Sequence, residues 1–102
     1  MKARTGQTIY EDIMSLDMDN NPVTAATFDI VMTKEDILFT GITTSISLVD
    51  DTRGIFSASW SADTTGDYQL YVKNITTNVI FISDTVSVRP DSEFDQSIYI
   101  GL

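Results

Sequence analysis

The chain contains no cysteine and no histidine among its 102 residues. Without cysteine there can be no disulfides and no thiolate chemistry, and without histidine there can be no imidazole-ligated zinc or iron. The many serines also lack the histidine base that activates a serine nucleophile. The sequence therefore predicts a protein that is not an enzyme, with no catalytic residues, no metal and no cofactor.

Basic residues are scarce: six lysines and arginines face fifteen acids, which gives a net charge of −9. Lys2 and Arg4 lie together and the other four are scattered, so no basic patch is available for phosphates. No apolar run approaches the ~20 residues of a membrane span, and no apolar segment near Met1 resembles a secretion signal. We expect a soluble protein made in a cytoplasm, or a mature fragment, that contacts neither nucleic acid nor membrane.

The most informative segment is residues 54–72, where the apolar residues alternate with polar ones. Phe56, Ala58 and Trp60 share one face of a strand whose other face is serine. After a polar turn, Tyr68, Leu70 and Val72 continue the apolar face. Period-two alternation across a short turn indicates two core strands of an immunoglobulin-like sandwich. We expect Trp60 to pack in the core rather than to form a sugar-stacking platform, with the Tyr68 hydroxyl bonded near the start of its strand.

Period two also runs through residues 26–32 and 42–49, and a return strand begins at residues 37–39 after a charged turn. Residues 79–88 form a last long strand or a broken pair. Residues 8–16 alternate only loosely, so a first strand, a helical turn and a bulge stay open. The predicted fold is all-β: an immunoglobulin-like antiparallel β-sandwich of seven to eight strands with an extended C-terminal tail or strand. The predicted divisions are residues 1–16 (N-terminal segment or first strand), 17–90 (sandwich) and 91–102 (acidic linker and C-terminal strand or tail).

Beyond Pro90 the chain becomes acidic and then apolar, ending in the sequence Ile98-Tyr99-Ile100-Gly101-Leu102. An apolar strand needs a partner, since open strand edges recruit other chains. It either folds back as an edge strand of its own sandwich or adds to a neighbouring subunit by β-augmentation. The candidate partner-binding residues are Ile98, Tyr99, Ile100 and Leu102, together with Tyr71, which lies on the face opposite Tyr68.

Asp17, Asp19 and Asn21 have the spacing that begins a calcium loop. The sixth position is Pro22 instead of glycine, and the twelfth is Phe28 instead of a bidentate glutamate. A plain Asx turn is the favoured interpretation, and a looser turn-bound Ca²⁺ stays open.

Adjacent carboxylates and a glycosylation sequon at Asn74 are the other motifs. Neighbouring residues on a strand point to opposite faces, so paired acids do not converge as acid–base dyads and are expected to be solvated turn charges. The sequon is expected to be a chance match at a hairpin tip.

The chain resembles small structural proteins of tailed bacteriophages. The resemblance lies in residues 26–30, 54–60 and 66–68 and in Tyr99 to Leu102, which follow a Pro-Asp linker. In that family a short immunoglobulin-like domain decorates a capsid, neck or tail, or attaches a baseplate component. The resemblance implies a non-enzymatic structural protein of the virion, made in the host bacterial cytoplasm. It also implies many copies that dock through their termini to other virion proteins (capsid, neck or tail) and to each other.

A second interpretation keeps the fold and changes the function. The domain would be a carbohydrate- or cell-surface-binding adhesin module that uses Tyr71 and the Asp/Thr loops, with Ca²⁺ as an aid. Chelator-sensitive glycan binding separates the two interpretations.

Overall fold

The computed structural model describes residues 1–90, which form two β-sheets. Among these residues there are nine strands and no helix, so none that could span a membrane. The strands are β1 (Lys2–Arg4), β2 (Ile9–Met14), β3 (Phe28–Lys34), β4 (Ile37–Leu38), β5 (Ser45–Asp50), β6 (Ile55–Trp60), β7 (Gly66–Asn74), β8 (Val79–Ile82) and β9 (Val86–Arg89). The predicted candidates Ile98, Tyr99, Ile100 and Leu102 lie outside the described residues.

The large sheet has the order β1-β9-β7-β3-β4, and β8 also pairs with β7. The long strand β7 serves two partners along one edge: β9 pairs with its first residues, Gly66 to Tyr68, and β8 with its last, Tyr71 to Asn74. β8 and β9 therefore lie end to end beside β7. All pairs are antiparallel except β1 with β9.

The small sheet has the order β2-β6-β5. Ile9 pairs with Trp60, and Ile13 pairs with Phe56. Strict alternation in β6 and β7 buries every second residue and directs those side chains toward the opposite sheet. The all-β sandwich is confirmed, and its buried apolar core comprises Ala3, Ile9, Ile13, Met32, Phe56, Ala58, Trp60, Ala62, Tyr68, Leu70, Val72, Val86 and Val88.

The strand number differs from the prediction. β1 has three residues, too few to show a period, and with it the strand number rises above the predicted seven to eight, while β4 lies where a return strand is predicted to begin. The last strand is a broken pair because Ser83 interrupts it: its Oγ accepts a hydrogen bond from the Leu70 N–H (2.9 Å) and donates to Asp84 O (3.0 Å).

Residues 9–14 form a strand, which resolves the three alternatives for this segment. Ile9 and Ile13 are four residues apart and share the buried face of β2. Their partner strand β6 supplies the alternation that β2 shows only loosely, so strand pairing decides the local structure.

Candidate functional site

Tyr71 lies on the outer face of the large sheet, opposite the core side chains of β7. Its side chain is half-buried, and its hydroxyl donates to Gln69 Oε1 at 2.9 Å. The Gln69 amide in turn donates to the Ser83 carbonyl at 2.9 Å. The ring is therefore held in one orientation while one side of it faces solvent.

Apolar side chains flank Tyr71 on both sides across the sheet. Val31 of β3 and Ile82 of β8 are its direct cross-strand partners, and Ile80 lies two residues further along, opposite Lys73. Val31, Tyr71, Ile80 and Lys73 border a hollow of about 450 Å³ that Asp29 and Thr33 complete. We call the exposed group Val31, Tyr71, Ile80 and Ile82 the Tyr71 face.

β8 consists of four apolar residues, Val79-Ile80-Phe81-Ile82, and in residues 1–90 it pairs only with β7. Ile80 and Ile82 are 60% and 54% exposed. An apolar strand with an open edge is a template for pairing with another strand. We call the side of β8 that faces away from β7 the β8 edge.

A groove of about 280 Å³ separates the β8 edge from β2 of the small sheet. Its lining is mainly apolar, including Ile13, Val72 and Phe81, with Asp12 and Asn74 as the polar members. The groove runs along two open strand edges, one from each sheet, because β2 is also the outermost strand of the small sheet within residues 1–90.

Negative charge gathers beside this groove. Burial raises the pKa of Glu11 above its usual range, the nearby carboxylates of Asp84 and Asp12 raise it further, and the amino group of Met1 opposes the shift. The carboxylate of Asp12 lines the groove itself. The groove therefore favours an uncharged or cationic occupant over an acidic one.

The opposite edge of the large sheet is partly covered. β4 pairs with β3 at Thr33 and Lys34, and the Phe39 N–H extends this pairing to the Met32 carbonyl at 2.9 Å. The loop that follows borders a second groove of about 300 Å³ between β3 and residues 38–44. This edge offers a comparison surface, because Ile37 is 70% exposed there.

The predicted Asx turn is confirmed. Asp17 Oδ1 accepts hydrogen bonds from the backbone N–H groups of Asp19 and Asn21, both at 2.9 Å. The carboxylate that begins the calcium-like spacing is thus engaged by its own turn. In residues 1–90 no group of three or more acidic, histidine or cysteine side chains is placed to hold a metal ion.

The paired acids lie in turns or on opposite faces of a strand. Glu35 and Asp36 both have positive φ, at 52° and 63°, in the β3–β4 turn. Asp50 accepts hydrogen bonds from the Thr52 hydroxyl, Thr52 N and Arg53 N, and these bonds hold its pKa below the usual range. Such a carboxylate caps a turn and serves as a structural acceptor.

Trp60 and Asn74 are both buried. Trp60 packs against Tyr68 with ring centroids 5.6 Å apart, which confirms its place in the core. The Asn74 amide donates to Ser15 Oγ at 2.9 Å and joins the two sheets. Because this amide nitrogen is enclosed in the folded domain, the sequon at Asn74 is not an accessible acceptor.

Sequence reasoning placed Tyr71 on the exposed face but did not identify β8 as part of the same surface. The signal was present in the continuous apolar run Val79-Ile80-Phe81-Ile82. A strand with one solvated face alternates, so a run without alternation indicates that both faces contact something.

No protein-family model matches the chain, and no curated protein matches it. Among solved structures the chain is similar to the Lin-41 filamin domain, with a TM-score of 0.64 and 15% sequence identity. The similarity covers 86% of this chain and 82% of that domain. At this identity the likeness shows the fold alone, an immunoglobulin-like β-sandwich, and it carries no information on a virion role.

Proposed function

We propose that this chain is a non-enzymatic structural module that docks to neighbouring proteins in a multi-copy assembly. The observation that carries the proposal is the continuous apolar surface formed by the Tyr71 face and the β8 edge. Exposed apolar patches bordered by polar residues mark protein interaction sites. Here Asp29, Lys73 and Asp12 provide the polar border.

The assembly we propose is the particle of a tailed bacteriophage, with the domain located in the virion after synthesis in the host cytoplasm. This part of the proposal rests on the sequence resemblance given above. A rigid sandwich suits a spacer that decorates or attaches, because its two sheets enclose one close-packed core. Many copies on one particle would add avidity to a weak individual contact.

Docking is proposed to use both the Tyr71 face and the residues after Pro90. The acidic remainder of the surface would keep the copies soluble and apart until a specific contact forms. Nucleic acid is not a partner in this proposal, because the six lysines and arginines are outnumbered by fifteen acids.

Incorporation into particles tests the proposal. The Val31→Asp variant places a charge in the Tyr71 face and is expected to reduce incorporation, and deletion of residues 96–102 is expected to do the same. The matched control is Val49→Asp on the small sheet, where Val49 is also exposed. The readout is the amount of each protein that co-sediments with particles assembled from the neighbouring structural proteins.

Unchanged incorporation of both test variants would contradict the proposal. Chelator-sensitive binding to a glycan array would instead favour the adhesin interpretation, because docking between structural proteins requires neither glycan nor Ca²⁺.

A further inference from the structure

We propose that residues 96–102 of a second copy pair with the β8 edge and extend the large sheet by one strand. This inference rests on the proposed docking function and names the partner and the place of contact. The occupant has the sequence Gln-Ser-Ile-Tyr-Ile-Gly-Leu, and we call it the 96–102 segment.

The β8 edge offers free backbone groups for a new strand. Ser83 N donates to Leu70 O at 2.9 Å, and hydrogen-bonded positions alternate along an antiparallel ladder. The N–H and C=O groups of Ile80 and Ile82 therefore point away from β7. In residues 1–90 no strand pairs with them.

The neighbouring place in the sheet is already filled. β1 pairs with β9 from Ser87 to Arg89, and Ser87 N donates to the Met1 carbonyl at 2.8 Å. The position next to β9 in the sheet is thus occupied by β1. The position next to β8, in line with β1, has no strand among the described residues. A strand added there would continue the line of β1.

The side chains of the 96–102 segment suit this place. Ile98, Ile100 and Leu102 alternate with Tyr99, so one face of an added strand would direct three aliphatic side chains into the groove beside β2. Tyr99 would then lie on the outer face, next to Ile80 and Ile82. The segment has no charged side chain, which matches a groove whose lining is apolar apart from Asp12 and Asn74.

The reach of the chain favours a second copy as the donor. Val88 pairs with Gly66 and Ile82 with Tyr71, so five rows of β7, about 17 Å, separate them, and Pro90 extends the distance to about 24 Å. Reversing the chain uses about four residues, so Ile98 would advance about 14 Å and stop about 10 Å short of Ile82, and only Gly101 and Leu102 would reach the level of Ile82. The rest of the segment would then fall beside β9, where β1 is already paired. A segment from a neighbouring copy has no such limit.

Disulfide trapping in this cysteine-free chain tests the pairing. One full-length preparation contains Ile80→Cys or Ile82→Cys, and a second, ¹⁵N-labelled preparation contains Tyr99→Cys. After mixing and mild oxidation, mass spectrometry is expected to find disulfide-linked pairs of one labelled and one unlabelled chain. The matched control is Ile37→Cys, an exposed isoleucine of the opposite edge strand, which should give at most about a tenth as much of this product.

Sedimentation of single variants provides a second readout. Ile80→Pro removes an N–H that does not bond to β7, so its circular dichroism and melting should be unchanged. Self-association is expected to weaken about tenfold or more. Ile100→Asp, outside the described fold, is expected to have the same effect.

Three results of the trapping and sedimentation experiments would overturn the inference. The first is that the full-length chain sediments as a monomer at every concentration. The second is that Ile80→Cys and Ile82→Cys give no more of the mixed disulfide product than Ile37→Cys does. The third is that a chain carrying both Ile82→Cys and Tyr99→Cys forms its disulfide within the single chain. Particle incorporation that survives Ile80→Pro but fails with Val31→Asp would overturn this pairing while leaving the proposed docking function in place.

Discussion

At the scale of single residues, the hydroxyl of Tyr68 connects the buried core to the turn between β6 and β7. Its ring is fully buried against Trp60, and its hydroxyl donates to the Thr64 carbonyl at 2.9 Å, four residues earlier in the chain. This bond fixes the turn between β6 and β7, as in the tyrosine corner of immunoglobulin-like folds.

We expect Tyr68→Phe to lower the free energy of unfolding by about 1 kcal/mol, because the hydrogen bond from the hydroxyl of the buried Tyr68 to the Thr64 carbonyl is lost. Denaturant unfolding measures the loss. The control is Tyr71→Phe, whose hydroxyl bonds only to the half-buried Gln69 side chain, and it should change stability by less than about 0.5 kcal/mol. Equal losses in the two variants would contradict the role assigned to Tyr68.

The locations of the Tyr68 and Tyr71 side chains could be predicted from the sequence to different extents. Tyr68 follows from alternation, since Leu70 and Val72 share its buried face. The position of Tyr71 follows only because it is an odd number of residues from Tyr68 and therefore lies on the other face of the strand. Its role in a surface depends on Val31 and Ile82, which are 40 and 11 positions away in the chain and become neighbours only through strand pairing.

At the scale of elements, Gly54 determines how β6 begins. Its φ is +67°, and a Cβ at this position would overlap the carbonyl oxygen of Ser15. The same stretch of chain bonds tightly, because Ser15 N donates to Gly54 O at 2.7 Å and Val23 N donates to Ser15 O at 2.8 Å. Gly54 therefore lets the β5–β6 turn approach the end of β2.

We expect Gly54→Ala to lower the free energy of unfolding by about 2–4 kcal/mol through the combined cost of positive φ and overlap. Gly6→Ala is a matched control, because Gly6 also has positive φ (79°) but no atom lies within 4 Å of its would-be Cβ. That variant should lose only about 1 kcal/mol. Thermal unfolding of both compares them, and similar losses would show that φ alone, and not the contact with Ser15, governs this turn.

Elements with a sustained period could be predicted, and the short strand β1 could not. β6 and β7 alternate over six and nine residues, which is enough to fix their faces. β1 has three residues, of which only Ala3 is buried, so its existence depends on the parallel partner β9. The apolar run of β8 was visible in the sequence, but its open edge was not, because that edge depends on how β7 divides its pairing between β8 and β9.

At the scale of the whole molecule, charge and apolar contact act between copies over separate ranges. The proposed contact surface is local, at β8 and the Tyr71 face, while the chain as a whole has a charge of −9. Two copies approaching each other therefore repel at long range and attract only where the apolar edge meets the 96–102 segment.

This separation predicts the effect of salt on self-association. Raising NaCl from about 0.05 M to about 0.5 M shortens the screening length several-fold, which reduces the repulsion between acidic copies and leaves strand pairing and apolar contact intact. We expect the dissociation constant of the full-length dimer to fall several-fold, measured by sedimentation velocity at neutral pH. Ile80→Pro should stay monomeric at both salt concentrations, which separates the effect from non-specific salting-out. Association that weakens as salt rises would show that charge pairs hold the copies together, and pairing at the β8 edge would then not be the dominant contact.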